Sequence, residues 1–179
     1  MRGRRLAAPR GRAVRPTSDR VRESIFDLLG VNFGCGRVLD LYAGTGALGI
    51  EALSRGCQSA VFVERSRAAV ELIMTNLKNC DLTDRARVVS REVIAFLKSA
   101  EPDCAADLVL IDPPYGKGLV QKTLGLLERG GWLVADGVVV CETEAGLQLP
   151  EQTDALVRLK QRVYGDTAIS LFRGGRSGG

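Results

Sequence analysis

The sequence predicts an α/β fold in which helices cover both faces of a mostly parallel sheet. Two observations indicate it. Short apolar runs alternate with helical segments over most of the chain, and two extended, β-branched stretches flank Gly165-Asp166 within residues 154–173. The alternation is typical of parallel strands joined by crossover helices, and the paired stretches are typical of an antiparallel hairpin. With 179 residues, one domain is the simplest organisation.

The remaining elements follow in chain order, each from its own pattern. Residues 16–30 predict a helix because apolar residues recur at helical spacing, with Ser18 or Thr17 as the expected cap and Gly30 at the end. Beyond it, continuous apolar runs predict strands, and amphipathic segments between them predict helices. The strands are 37–42, 59–64, 86–90, 107–112 and 137–144, and the helices are 46–56, 66–80, 93–99 and 117–130.

Basic charge is concentrated at the N-terminus. Residues 1–22 contain eight arginines and one acid, whereas the net charge of the whole chain is only +4. Such a segment is typical of proteins that bind a polyanion, since each neutralised phosphate releases counterions; a solvated tail gives the same pattern. We expect a basic arm at residues 1–16, one domain at 17–173 and a disordered tail at 174–179.

The composition argues against several classes of function. The chain contains no histidine, which removes Ser-His-Asp and Cys-His hydrolysis and histidine-based metal sites. Its five cysteines include no C-x-x-C pair, so we expect no metal. No apolar stretch approaches the ~18 residues of a membrane span, and the arginine-rich start does not resemble a secretion signal. An odd number of cysteines then favours free thiols in a reducing cytoplasm, and we expect no membrane partner.

Acidic residues follow four predicted strands, and a glycine-rich segment follows the first. Asp40, Glu64, Glu92 and Asp112 stand at or just after strand ends, and "GTGALG" (44–49) has the form G-x-G-x-x-G. That motif also fits a dinucleotide site, but Asp40 would repel a pyrophosphate. S-adenosyl-L-methionine carries a sulfonium and an ammonium and no phosphate, so the sequence favours it over NAD.

The segment "DPPYGKG" (112–118) ends the fourth strand. A carboxylate at Asp112 and the carbonyl of Pro113 could accept the N–H bonds of an exocyclic base amine and so make its nitrogen a better nucleophile. Pro113 and Pro114 would fix these acceptors, because proline has a restricted φ and no N–H. Tyr115 could stack on the base. A rigid turn with a surface tyrosine is the alternative interpretation, and the preceding "DLYAGTG" makes it the weaker one.

"RPTSDRVRESIFDLL", "LDLYAGTGALGIEALSRG" and "DPPYGKG" together resemble the bacterial RsmD-type family, which methylates guanine N2 in 16S ribosomal RNA. The resemblance implies a class I, Rossmann-like methyltransferase fold with seven strands. It implies S-adenosyl-L-methionine as cofactor, and 16S rRNA or the assembling small subunit as partner; we expect a monomer.

The resemblance also implies residue roles. The catalytic residues would be Asp112, Pro113, Pro114 and Tyr115. The cofactor would lie against Asp40, Tyr42, Gly44, Thr45, Gly46, Glu64, Arg65, Glu92, Val93, Thr17 and Arg20. The RNA would contact Arg2, Arg4, Arg5, Arg10, Arg12, Arg15, Arg22 and Lys117.

Other functions stay open at the level of sequence. An adenine-N6 methyltransferase acting on RNA or DNA uses a similar strand end, and the spacing alone does not exclude it. A non-enzymatic ribosome-assembly module would also keep the basic arm, but it would not need acids at the strand ends. A nicotinamide oxidoreductase is disfavoured by Asp40 and by the lack of a histidine acid or base.

Overall fold

The computed structural model describes residues 6, 16–30, 36–99 and 105–175. Helices and strands alternate as far as the fifth strand, after which two strands form a hairpin. The elements are α1 (Pro16–Leu29), β1 (Arg37–Leu41), α2 (Ala47–Ser54), β2 (Ser59–Glu64), α3 (Arg67–Asn79), a 3-10 turn (Thr83–Arg85), β3 (Ala86–Ser90), α4 (Val93–Ser99), β4 (Ala106–Ile111), α5 (Leu119–Arg129), β5 (Leu133–Glu144), β6 (Leu156–Tyr164) and β7 (Thr167–Gly174).

Within the described residues, seven strands form one sheet in the order β3-β2-β1-β4-β5-β7-β6. The first five strands pair in parallel, whereas β7 is antiparallel to both β5 and β6. The chain order reverses between β1 and β4, and open α/β sheets bind ligands outside the carboxyl ends of strands at such a point.

The central strands of the sheet are buried on both faces. Alternate residues of β4 point to opposite sides, so Leu108 and Leu110 join the core under α1, α2 and α3, whereas Val109 and Ile111 join the core under α4 and α5. This alternation follows from the two-residue period of a strand. It explains why the central strands are apolar throughout rather than alternately polar.

The predicted class and most predicted elements are confirmed, with local differences. Helix α1 begins at Pro16, so Thr17 and Ser18 lie in its first turn and their assignment as caps was wrong; proline suits the first helical position because its missing N–H has no partner there anyway. Strand β1 ends at Leu41 and β4 at Ile111, one residue before the predicted ends.

The largest difference is in β5, which begins at Leu133 instead of residue 137. Its pairing with β4 is irregular there, and Asp136 has a φ of 62°, so the first part of the strand does not follow a regular extended pattern. Strand β7 includes Gly174, so the predicted tail at 174–179 begins one residue too early. Cys57 is disulfide-bonded, contrary to the expectation of free thiols, whereas Cys80 and Cys141 are free.

Candidate active site

Four neighbouring strands end side by side at one edge of the sheet. Leu41 pairs with Val63 on one side and with Ile111 on the other, and Ile111 pairs with Cys141. The residues that come next on these strands therefore lie beside one another: they are Tyr42, Glu64, Asp112 and Glu142. We call the space bounded by Asp40, Glu64, Asp112 and Glu142 the acidic crevice.

The loop between β1 and α2 forms one wall of the acidic crevice. Gly44 and Gly46 have φ values of 55° and 77°, in the left-handed region that favours glycine. The N–H of Gly44 donates to Glu64 Oε2 at 3.0 Å, and the amide of the buried Asn76 donates to the Thr45 carbonyl at 2.9 Å. A Cβ on Gly44 would come no closer than 3.9 Å to another atom. The loop thus offers an anchored but open backbone surface to a ligand.

Asp40 lies beneath this loop and is only 2% exposed. Its Oδ2 accepts a hydrogen bond from the Gly49 N–H at 2.9 Å, at the start of α2. Burial raises the pKa of this carboxyl to about 7; the Gly49 hydrogen bond lowers the pKa and the charge of Glu64 raises it further. Asp40 therefore fixes the loop to α2, and its charge responds to whatever charge enters the acidic crevice.

Glu64 ties two loops together at the tip of β2. Its Oε1 accepts from the Ser66 N–H at 2.7 Å while its Oε2 accepts from Gly44. Each carboxylate oxygen keeps a second lone pair, so Glu64 can also accept from a ligand hydroxyl. The neighbouring Arg65 is exposed.

The far wall of the acidic crevice is formed by Tyr42 and by the start of α4. The Glu92 carboxylate accepts from the Ala95 N–H at 2.7 Å and so caps α4. The Val93 side chain is buried in the core, which leaves only its backbone for a ligand. Tyr42 shares a 2.8 Å hydrogen bond with the buried Thr123 hydroxyl. Burial raises the pKa of Tyr42, and the nearby charge of Glu92 contributes in the same direction.

The segment after β4 projects into the acidic crevice. The Asp112 N–H lies 3.5 Å from the Leu41 carbonyl, which marks the end of the parallel pairing. Pro113 is buried, whereas Pro114 is exposed and Tyr115 is 45% exposed. One proline therefore anchors this turn in the core and the other faces solvent, next to an aromatic ring that is free to stack.

The hydroxyl of Tyr115 reaches across β5 to the hairpin. It shares a 3.1 Å hydrogen bond with the Thr167 hydroxyl and donates to Glu142 Oε1 at 3.5 Å. Residues 113–121 and 142–144, with Leu147, line a small cavity beside this contact that is open to solvent. The ring of Tyr115 is thus held at the mouth of a cavity next to Asp112.

The carboxyls of the acidic crevice disfavour one another's charge. Asp112 is exposed as a residue, but the protein atoms that surround its carboxyl withdraw this group from bulk water. This desolvation raises its pKa well above the ordinary value, and the charges of Glu142 and Asp40 raise it further. Burial also raises the pKa of Glu142, partly offset by the hydrogen bond from Tyr115. A cationic or N–H-rich ligand would stabilise the ionised carboxylates.

Helix α1 packs on the sheet rather than projecting from it. It contacts β7, the Ser24 hydroxyl donates to the Tyr164 hydroxyl, and the Arg55 guanidinium of α2 lies 4.7 Å from the centre of the Phe26 ring. These contacts fix the helix beside α2 and the hairpin.

The structure describes only some of the residues expected at the RNA or above the cofactor. Arg20 and Lys117 are exposed, and Arg22 pairs with Asp19 at 2.9 Å. No contact brings Arg20 or Arg22 to the acidic crevice within the described residues, whereas Lys117 lines the cavity. The side chain of Thr17 lies outside the described part of the structure, as do Arg2, Arg4, Arg5, Arg10, Arg12 and Arg15.

Two site residues were missed from the sequence, namely Glu142 and Asn76. Glu142 lies in a run that predicts only a strand, and Asn76 lies in an amphipathic helix where an amide is unremarkable.

Among the described residues, no group of three or more acidic, cysteine or histidine side chains could hold a metal. No helix in the same ranges has both the length and the apolar character needed to cross a membrane.

The sheet order, the glycine loop after β1 and the acid at the tip of β2 define a class I methyltransferase. The chain belongs to the family described as Conserved hypothetical protein 95, whose family model matches residues 1–173. The family and the fold predicted from the sequence are therefore confirmed.

Individual relatives resemble the chain over nearly its whole length. It is 38% identical over 172 residues to YlbH of Bacillus subtilis, named as a candidate rRNA methyltransferase, covering 96% of this chain and 94% of that protein. It is 36% identical over 172 residues to Ribosomal RNA small subunit methyltransferase D of Escherichia coli K12, covering 96% and 85%. The solved structure of yhhF from Escherichia coli matches with a TM-score of 0.83 and 35% identity, covering 97% of this chain and 93% of that one.

Proposed function

We propose that the chain transfers the methyl group of S-adenosyl-L-methionine to the exocyclic N2 of a guanine in small-subunit ribosomal RNA. The observation that carries the proposal is the position of Asp112-Pro-Pro-Tyr115 beside the glycine loop, within one acidic crevice. The names of the relatives, which include a small-subunit rRNA methyltransferase, support the RNA class.

The residues of the acidic crevice fit the cofactor. S-adenosyl-L-methionine supplies an electrophilic methyl group on a positively charged sulfur when it is bound. The charges of Asp40 and Asp112 favour this cation, and the open backbone at Gly44 allows close approach. Glu64 retains lone pairs for the ribose hydroxyls, and Glu92 with the Val93 backbone is suited to the adenine.

The segment after β4 would activate the base amine. Asp112 and the Pro113 carbonyl would accept the N–H bonds of the amine, because this draws the nitrogen toward the tetrahedral geometry that attack requires. Tyr115 would hold the ring of the base by stacking. In the transfer a nitrogen–carbon bond forms, the carbon–sulfur bond breaks and the nitrogen releases one proton. No histidine base is needed, since the methylated ammonium is strongly acidic.

The basic arm and the exposed Lys117 would contact the RNA backbone. Arginine and lysine supply most of the sequence-independent affinity for nucleic acid, and Lys117 lies five residues after Asp112 in the loop that lines the cavity. The target base would enter between this loop and the end of β5.

The test is transfer of a tritiated methyl group to small ribosomal subunits from cells that lack this modification, followed by nucleoside analysis. Asp112→Ala should lower the rate about 100- to 1,000-fold, comparable to the loss of one transition-state hydrogen-bonding group, and it should lower cofactor affinity much less, through the loss of one negative charge near the sulfonium. Asp154→Ala is the matched control, because Asp154 is exposed and precedes the end of β6 that lies opposite the acidic crevice.

Formation of N2-methylguanosine by the wild type and its loss in Asp112→Ala would support the proposal. N6-methyladenosine as the product would replace guanine by adenine as the target base. Full activity of Asp112→Ala would refute the role of Asp112, and binding of RNA without binding of S-adenosyl-L-methionine would favour an assembly module.

A further inference from the structure

Glu142 is an acid of the crevice that the proposed function does not use. It lies at the position next to Asp112 in the sheet, because Ile111 pairs with Cys141 in the parallel ladder. Residues in register on parallel strands point to the same face, so the two carboxyls face the same space. Glu142 also lines the cavity between the loop after β4 and the end of β5.

The carboxylate of Glu142 is poorly compensated within the described part of the chain. Its hydrogen bond is the one donated by Tyr115, and the distance of 3.5 Å makes it weak. None of the ion pairs that the structure shows there involves it. Keeping a half-buried carboxylate without a close hydrogen-bond donor costs free energy. The Glu142 carboxylate is therefore suited to accept a hydrogen bond from an N–H of a ligand.

The Watson–Crick edges of the two purine amines differ at the atom next to the amine. Guanine carries N1–H beside its N2 amine, so it presents neighbouring donors to two adjacent acceptors. Adenine carries an unprotonated N1 beside its N6 amine, so it presents a lone pair there. Enzymes that act on an extruded base read this edge by hydrogen bonds.

We propose that Glu142 selects guanine by accepting the N1–H hydrogen bond while the neighbouring Asp112 holds the N2 amine. The inference rests on the proposed function and names its specificity-determining residue. With adenine in the same place, the Glu142 carboxylate would face the N1 lone pair, and this repulsion would exclude the base. Tyr115 contributes through its ring, which stacks on the base, while its hydroxyl is held by Thr167 beside the Glu142 carboxylate.

The probe is 2-aminopurine, which keeps the N2 amine of guanine but has no N1–H. Small subunits are reconstituted with 16S rRNA that carries guanine or 2-aminopurine at the methylated position, and kcat/KM is measured for each. The wild type should prefer guanine by about 10- to 100-fold, as expected for one well-placed base contact. Glu142→Gln should reduce this preference at least tenfold, because a carboxamide can also donate to the bare N1.

The wild type and Glu142→Gln are each measured on both bases. The change in base preference between the two proteins reports the contact between Glu142 and N1–H, because both proteins lose O6 equally with the analogue. Glu151→Gln is the matched control, since Glu151 is an exposed acid whose ion pair with Arg158 lies at the hairpin. Cofactor affinity and the circular dichroism of Glu142→Gln report whether the variant is folded.

Equal rates of the wild type on the two bases would overturn the inference without any variant. An unchanged preference in Glu142→Gln would overturn it as well. If the wild type methylates adenine and no guanine, the proposed function fails and the inference fails with it; methylation of guanine without a role for Glu142 removes only the inference.

Discussion

Replacing Gly49 by alanine tests how closely α2 must approach the sheet. A Cβ at this position would lie 2.4 Å from Cε1 and 2.8 Å from Cζ of Phe62, and 2.9 Å from Oδ2 of Asp40. Phe62 is fully buried, so its ring has no free space to move into. Overpacking of this kind costs about 1–3 kcal/mol, and we expect the upper half of that range because two groups are displaced.

Gly125→Ala supplies the matched control. Gly125 also lies inside a helix, α5, but a Cβ there would meet only the end of the flexible Arg129 side chain, at 3.3 Å from Nη2. Alanine in a helix interior is favoured over glycine, so this variant should be more stable than the wild type by about 0.4–1 kcal/mol. The same substitution should therefore have opposite effects in the two helices.

The measurement is urea and thermal unfolding followed by circular dichroism. The two variants should differ by about 3 kcal/mol, or roughly 6–12 °C in Tm for a chain of this length. Gly49→Ala should also bind S-adenosyl-L-methionine more weakly, because the displaced Asp40 carboxyl holds the loop. Equal stability of the two variants would show that α2 can shift freely on the sheet, which would refute the packing argument.

Three further outcomes are expected. The pKa of Asp40 is about 7, and a bound cation favours its ionised form. Cofactor affinity should therefore rise with pH from 6 to 8, by at most about tenfold per pH unit below 7. Calorimetry in two buffers should detect the proton released on binding, and an affinity that does not change with pH would contradict this expectation. Tyr115→Ala should weaken RNA binding about 5- to 150-fold through lost stacking, whereas Tyr115→Phe should stay near the wild type; equal losses would exclude stacking. Neutralising Arg2, Arg4 and Arg5 should lower the slope of log affinity against log salt by about 2–3, and an unchanged slope would remove the arm from the interface.

Local patterns were sufficient for most of the fold. Strands 59–64 and 86–90 and helix 93–99 have the predicted bounds, because each is an apolar or amphipathic run between clear breaks in the pattern. The start of β5 could not be predicted in this way. Its pairing with β4 skips residues around Asp136, and only the neighbouring strand shows that the chain stays in the sheet.

The site was predictable where a motif lies within one loop and not where it depends on strand order. Asp40, Gly44 and Asp112 stand at strand ends that any parallel sheet brings to one edge. Glu142 becomes a neighbour of Asp112 only because β5 pairs with β4, and 30 residues separate them in the chain. Asn76 supports the glycine loop through one side-chain hydrogen bond that no periodicity encodes.

The position of β7 has a consequence for synthesis of the chain. This strand is made after β5 and β6, yet it lies between them. Until it emerges from the ribosome, β5 has a bare edge and Tyr115 lacks Thr167 as an anchor. A nascent chain stopped before Thr167 would expose that edge to other strands, so early termination should yield aggregates rather than a partly active enzyme.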